Sequence, residues 1–299
     1  MMTPRKRHRF NILLADDGSE HARAAVALLG DLPLPSECLI TVFRAFASTQ
    51  AAEVTLLEEA LAQTCSLLQN KGLQTKSELM LGYPAEKIVE YAEEHRPALI
   101  VIGAKGLRAT LGILLGGVAQ QVVEYACCPV LIVRAPYNSL RRVLLVSDGS
   151  AYSQEAVKYL GKFPLPGGVS LHAMHVLQPM PFPIMVAEPS YSGLAMVGPL
   201  PVPEEVAAQR AREEKEGQAL LDRMVKNMKT LGLAATTVLK RGDAATEIIA
   251  YAKDQKIDLI VTGSRGLSQF KSWLMGSVSR KLVHYSGCSV LVVRGAQPA

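Results

Sequence analysis

The sequence predicts an α/β protein built from two repeated, doubly wound parallel-sheet domains of five strands each. Three observations carry that prediction. Short continuous apolar runs alternate with segments of helical period, the pattern of strands buried on both faces and joined by crossover helices. The whole alternation occurs twice. Glycines stand at matching points of the two copies, where strands turn into helices.

The elements follow in chain order. ILLA (12–15) and VLLV (143–146) are first strands, each followed by a helix through EHARAAVALL or AYSQEAVKYL. CLITVF and VSLHAMHV are second strands, leading to long helices near 53–71 and 204–231. Gly72 and Gly232 stand where a left-handed helix C-cap requires glycine. Third strands near 76–80 and 236–240 lead to helices over 84–95 and 244–255. LIVIG and LIVTG are the fourth strands; one more helix precedes the last strands, VLIVR and VLVVR.

The repeat decides the domain count. Between 98–134 and 258–294, at a constant offset of 160, 16 of 37 positions are identical. The starts NILLADDGSEHARAAV (11–26) and RVLLVSDGSAYSQEAV (142–157) correspond at an offset of 131. The difference, 160 minus 131, places 29 extra residues in the second copy. The expected domains are 10–135 and 141–295, joined through the turn-rich APYNSL, with an inserted loop over 178–205. That loop carries seven prolines and three methionines, too many missing N–H groups for a strand or helix. It leaves the end of the second strand and is expected to pack over the neighbouring site or onto a partner, against the plainer reading of an unattached loop.

Composition sets bounds. The chain has 299 residues, 49% hydrophobic and 20% charged, with a net charge of +5. Part of that charge lies in residues 1–9, a basic stretch read as a solvated tail rather than a nucleic-acid or anionic-surface contact. No apolar h-region follows it, so it does not read as a signal peptide. No apolar run approaches the ~18 residues of a membrane span. Five cysteines show no CxxC pair or metal spacing, which points to a reducing, cytoplasmic setting.

The stretch 263–277, GSRGLSQFKSWLMGS, concentrates the chemistry. Gly263 ends a fourth strand, at the carboxyl edge where doubly wound sheets bind ligands. Gly266 keeps the turn free of a side chain, and Gly276 and Ser277 start the last helix. Glycine lets a ligand approach backbone closely, and N–H groups at a helix start attract anions. The alternative is that these glycines only form turns and that Ser277 is an ordinary N-cap. The first copy, 103–117, repeats the glycines but ends in Gly117.

Gly263-x2-Gly266-x9-Gly276-Ser277, the strand-then-DGS starts (Asp17-Gly18-Ser19 and Asp148-Gly149-Ser150) and the endings CPVLIVR and CSVLVVR together resemble the universal stress protein family. The resemblance covers nearly the whole chain, twice. It implies Rossmann-like domains that bind ATP or a related adenine nucleotide, alone or with Mg2+. By position, Gly263 and Gly266 line the ribose and phosphates. Gly276, Ser277 and Val278 hold the phosphates, Asp148 meets the nucleoside end, and the backbone of Val176 meets the adenine edge. The first-copy counterparts are Asp17, Ala45, Gly103, Gly106, Gly116 and Gly117. Gly117 departs from the family's Ser or Thr, which predicts a weaker first site. An internal pseudo-dimer through the last strands is also implied, and a further homodimer stays open.

Other chemistries leave little trace. There is no GxxxxGK[ST] and no GxGxxG. His172 and His175 are three apart on a strand and face opposite ways, so they do not share a metal. Cys127 and Cys128 are adjacent and read as small buried hydrophobes. Lys105, Arg265 and Lys271 lie in the glycine loops, either screening phosphate or simply solvated. No nucleophile–base pair stands out, so the reading is a nucleotide-binding regulatory stress-response module rather than an enzyme. A slow ATP hydrolase, a self-phosphorylating protein and a scaffold without nucleotide remain the alternatives.

Overall fold

A computed structural model describes residues 10–46, 51–107, 114–179, 204–266 and 275–295. Its first five strands are β1 (Ile12–Ala15), β2 (Leu39–Phe46), β3 (Gln74–Leu81), β4 (Leu99–Gly103) and β5 (Val130–Val133). Between them run α1 (Glu20–Asp31), α2 (Ala51–Gln69), α3 (Pro84–His95) and α4 (Gly117–Tyr125). The second half repeats the order with β6 (Arg142–Val146), β7 (Ser170–Leu177), β8 (Ala235–Arg241), β9 (Leu259–Gly263) and β10 (Ser289–Val293). Its helices are α5 (Ala151–Leu160), α6 (Glu204–Thr230), α7 (Ala244–Asp254) and α8 (Ser277–Tyr285).

All ten strands form one sheet in the order β3-β2-β1-β4-β5-β10-β9-β6-β7-β8. Within each half the pairing is parallel and the register repeats: Ile12 pairs with Ile40 and Leu99, and Val143 with Leu171 and Leu259. The strand order reverses between β1 and β4, and again between β6 and β9, so each half has one switch-point crevice.

The halves join where β5 and β10 run antiparallel, with Leu131 opposite Leu291. These two residues are equivalents in the repeat, and Val130–Val292 and Ile132–Val290 flank them symmetrically. The contact is self-complementary, as a twofold interface must be. It also removes two exposed sheet edges.

Apolar four-residue strands such as Ile12–Ala15 are buried along their whole length because helices cover both faces. One layer, α1, α2, α5 and α6, shares a core that includes Leu28, Leu68, Leu131, Leu160, Leu221 and Leu291. On the opposite face, Val122, Val123 and Ile132 of the first half pack in one cluster with Val283 and Val290 of the second. Gly72 and Gly232 take the left-handed φ values expected of them, 79° and 76°. Of the inserted loop, residues 180–203 lie outside the described residues, and the expectation for its packing lies there too.

Candidate functional site

Two cavities lie at the two switch points. The first, about 300 Å³, is lined by all six first-copy candidates, Asp17, Ala45, Gly103, Gly106, Gly116 and Gly117. The second, about 1180 Å³, is lined by all seven second-copy candidates, Asp148, Val176, Gly263, Gly266, Gly276, Ser277 and Val278. Lys105 borders the first and Arg265 the second. Lys271 lies outside the described residues.

Gly263 and Gly103 are required by close approaches of backbone. A Cβ on Gly263 would stand 2.7 Å from the Tyr152 carbonyl carbon, and one on Gly103 would stand 2.9 Å from the Ala22 nitrogen. These glycines let α5 and α1 start against the ends of β9 and β4. A Cβ on Gly266 or Gly106 would meet the Asp148 or Asp17 carboxylate at 2.5 or 2.6 Å. Gly276 and Gly116 donate to Ser264 O and Ala104 O at 2.8 Å, folding the last helix of each half back onto its glycine turn.

The aspartates fasten that turn. Asp17 accepts from Ser19 N at 3.0 Å through one oxygen and from Leu107 N at 3.2 Å through the other. Asp148 accepts from Ser150 N at 3.0 Å. The helix caps are the serines of DGS, not the aspartates: Ser19 accepts from Ala22 N and Ser150 from Ser153 N. An ionised carboxylate has about four acceptor positions, so the two bonds of Asp17 leave it capacity for a hydroxyl or amine in the cleft.

The helix starts differ in a telling way. α1, α5 and α7 are capped by the side chains of Ser19, Ser150 and Asp243. α4 and α8, which point into the cavities, have Gly116 and Gly276 as N-caps, with no side-chain bond. Their first-turn N–H groups therefore receive no bond from an N-cap side chain. Ser277 is not the cap; it is the first helical residue, exposed at the cavity rim.

Sequence reasoning missed the walls and one buried network. Phe43, Pro84, Ile88 and Ile102 bound the first cavity, and Ala244 and Ile248 stand at the Pro84 and Ile88 positions in the second. At the end of β1, Asp16 is 4% exposed and pairs with Arg44 of β2 at 2.8 Å. Thr64 of α2 donates to the same carboxylate oxygen at 3.0 Å. The second half has Ser147 and His175 there instead, with His175 Nδ1 2.8 Å from Ser147 O. An arginine inside the apolar run LITVFRAF was the available signal, because a buried guanidinium demands a partner.

The remaining sequence candidates fall elsewhere. His172 bonds the Tyr251 hydroxyl of α7, on the sheet face opposite His175. Cys127 and Cys128 border neither cavity. The Cys127 thiol is drawn down to about 6, chiefly by its hydrogen bond with Cys128, whose own thiol is pushed up. Among the described residues no group of three His, Cys, Asp or Glu is placed to hold a metal ion, and no helix is long and apolar enough to cross a membrane.

Comparison with known proteins agrees with this architecture. The model of the universal stress protein family matches the chain twice, over residues 8–134 and 139–294. A universal stress protein of Bacillus subtilis is 32% identical over 154 residues, which is 51% of this chain and 98% of that protein. One from Thermus aquaticus is 34% identical over 155 residues, 52% of this chain and 98% of that protein. Among solved structures, a universal stress protein from Archaeoglobus fulgidus aligns over 96% of this chain and 99% of its own, with a TM-score of 0.62 at 20% identity.

Proposed function

The chain belongs to the universal stress protein family, carrying its domain twice, and from that premise we propose that it is a regulatory module binding an adenine nucleotide in its switch-point clefts. The observation that carries this reading is the pair of helices, α4 and α8, that begin on glycine at the clefts, so that no N-cap side chain stands between their first turns and the cavities. Each of these helix starts, folded onto its glycine turn, suits an anion in its own cleft. Apolar walls beside them suit a flat base: Phe43, Pro84, Ile88 and Ile102 in the first cleft, Ala244 and Ile248 in the second.

In this reading the phosphates lie on the first turn of α8, on the N–H groups of Ser277 and Val278 and the Ser277 hydroxyl. Gly263 and Gly266 admit the ribose, and Asp148 accepts from its hydroxyls. The base edge lies along the Val176 backbone. Asp17, Ala45, Gly103, Gly106, Gly116 and Gly117 do the same in the first cleft. Where Mg2+ accompanies the nucleotide, the phosphates would supply its ligands from the substrate side and this chain would need to supply few carboxylates. The output is a nucleotide-dependent change of conformation or partner rather than turnover.

Mass spectrometry of small molecules released from the purified chain, followed by calorimetry with ATP, tests the reading. Co-purified adenine nucleotide and saturable binding are expected. No binding by ATP, ADP or AMP to folded protein would overturn it.

A further inference from the structure

The last residue of each family-like ending is an arginine, Arg134 after β5 and Arg294 after β10, and neither bonds the helix of its own half among the described residues. Arg134 donates through Nη2 to Val283 O at 2.7 Å and His284 O at 3.4 Å, in the last turn of α8. Arg294 donates through Nη2 to Val123 O at 2.6 Å and to Glu124 O, in the last turn of α4. At the offset of 160, Val123 and Glu124 are the equivalents of Val283 and His284. The antiparallel β5–β10 contact thus sends each arginine across the pseudo-twofold to the same two carbonyls of the opposite half.

Those carbonyls are among the four that every helix leaves without an internal partner. A planar guanidinium can bridge two of them, and its charge complements the negative helix end. Arg134 is only 8% exposed, and among the described residues the buried Nε of both arginines has no partner, so the carbonyls are what hold the Nη2 ends. Arg280 of α8 adds a second tie, 3.7 Å from Glu124 of α4. α4 and α8 have nine residues each, so the clamped end lies only about 13 Å from the cleft-facing start.

We propose that Arg134 and Arg294 are positioning residues acting in trans: each fixes the cleft-facing helix of the other half, so each cleft is completed by an arginine from its neighbour. The link to ligand affinity rests on reading the clefts as nucleotide sites; the link to helix position does not. Among the described residues the Arg134 side chain has one further bond, from Nη1 to Leu114 O at 2.6 Å, just before Leu115 of its own cleft. Arg294 is therefore the cleaner probe.

The test is amide hydrogen exchange on the full chain, wild type against Arg294→Gln and Arg294→Lys, without ligand and with ATP. Without ligand, Arg294→Gln should speed exchange in peptides covering 116–125 of the first half, on the order of 10-fold, the loss of a charged hydrogen bond. Peptides covering 277–285 of its own half should not change. Arg294→Lys should restore part of the protection, since it keeps the charge but not the fork. With ATP, protection at 116–120 should need a several-fold higher concentration in Arg294→Gln, and that at 277–281 should not. Faster exchange in α8 rather than α4, in both helices equally, or in neither, overturns the proposal. If ATP protects neither helix start in wild type, the nucleotide reading falls, while the ligand-free comparison still decides the arginines' role.

Discussion

The two clefts share a backbone plan and differ in what fills the space behind it. In the first, Arg44 lies across the ends of β1 and β2, bonded to Asp16 O and Oδ2, with Thr64 closing the network from α2. Among the described residues, none of α2 lines that cavity. In the second, Ser147, His175 and Met224 stand at the Asp16, Arg44 and Thr64 positions. There the cavity runs on to α6, reaching Glu213, Gly217, Leu220 and Arg223. The Asp16–Arg44 pair lines the slot of about 300 Å³, whereas Ser147 and His175 line the trough of about 1180 Å³. Repeats can keep their site-forming glycines and still diverge at the strand ends behind them.

The largest expected effect breaks that ion pair. Asp16→Ala leaves the Arg44 guanidinium buried without its carboxylate, a change worth about 3–5 kcal/mol. Ser147→Ala in the second half removes only neutral bonds, to Ser153 Oγ at 2.9 Å and from Gly149 N at 3.2 Å. It should cost about 1 kcal/mol. Urea denaturation of the full chain measures both. Equal losses would mean that the Asp16–Arg44 pair does not set the first half apart.

A smaller effect concerns what the halves share. Gly263→Ala puts a methyl group 2.7 Å from the Tyr152 carbonyl carbon and 2.8 Å from its oxygen, and neither is a side chain that can turn aside. A loss of about 1–3 kcal/mol follows from such overpacking, and Gly103→Ala should match it. Thermal denaturation checks this; a neutral Gly263→Ala would show that α5 can retreat from β9 freely.

These residues also show what was legible in advance. Short apolar runs announced the parallel strands because a polar side chain buried on either face needs a partner. The repeated glycines announced the clefts because two copies placed them at the same strand ends. The reason for each glycine was not legible, since it depends on which backbone stands opposite, as Tyr152 does opposite Gly263. The Asp16–Arg44 pair joins residues 28 apart, and the Arg134–Val283 bond joins residues 149 apart. Periodicity carries no record of such partners. Which residue of DGS caps the helix was not legible either, because Asp and Ser both suit a helix start.

The smallest effect isolates the phosphate end, where the clefts differ by one side chain. Ser277→Ala should weaken ATP binding in the second cleft by about 10-fold, the low end for a hydrogen bond to a charged group. Gly117→Ser should strengthen the first by a similar factor. Gly117 is the first residue of α4, its φ is not positive, and a Cβ there meets nothing within 4 Å, so serine fits without strain. Any side chain at 117 also stiffens the helix start, because glycine is less favourable in a helix than alanine by about 1 kcal/mol. Gly117→Ala separates the two contributions: it supplies the stiffness without the hydroxyl. Two-site calorimetry should rank the first cleft as Ser tightest, Ala intermediate and Gly weakest. If Ala equals Ser, backbone order distinguishes the clefts. If neither differs from Gly, the contrast lies behind the strand ends, with Arg44.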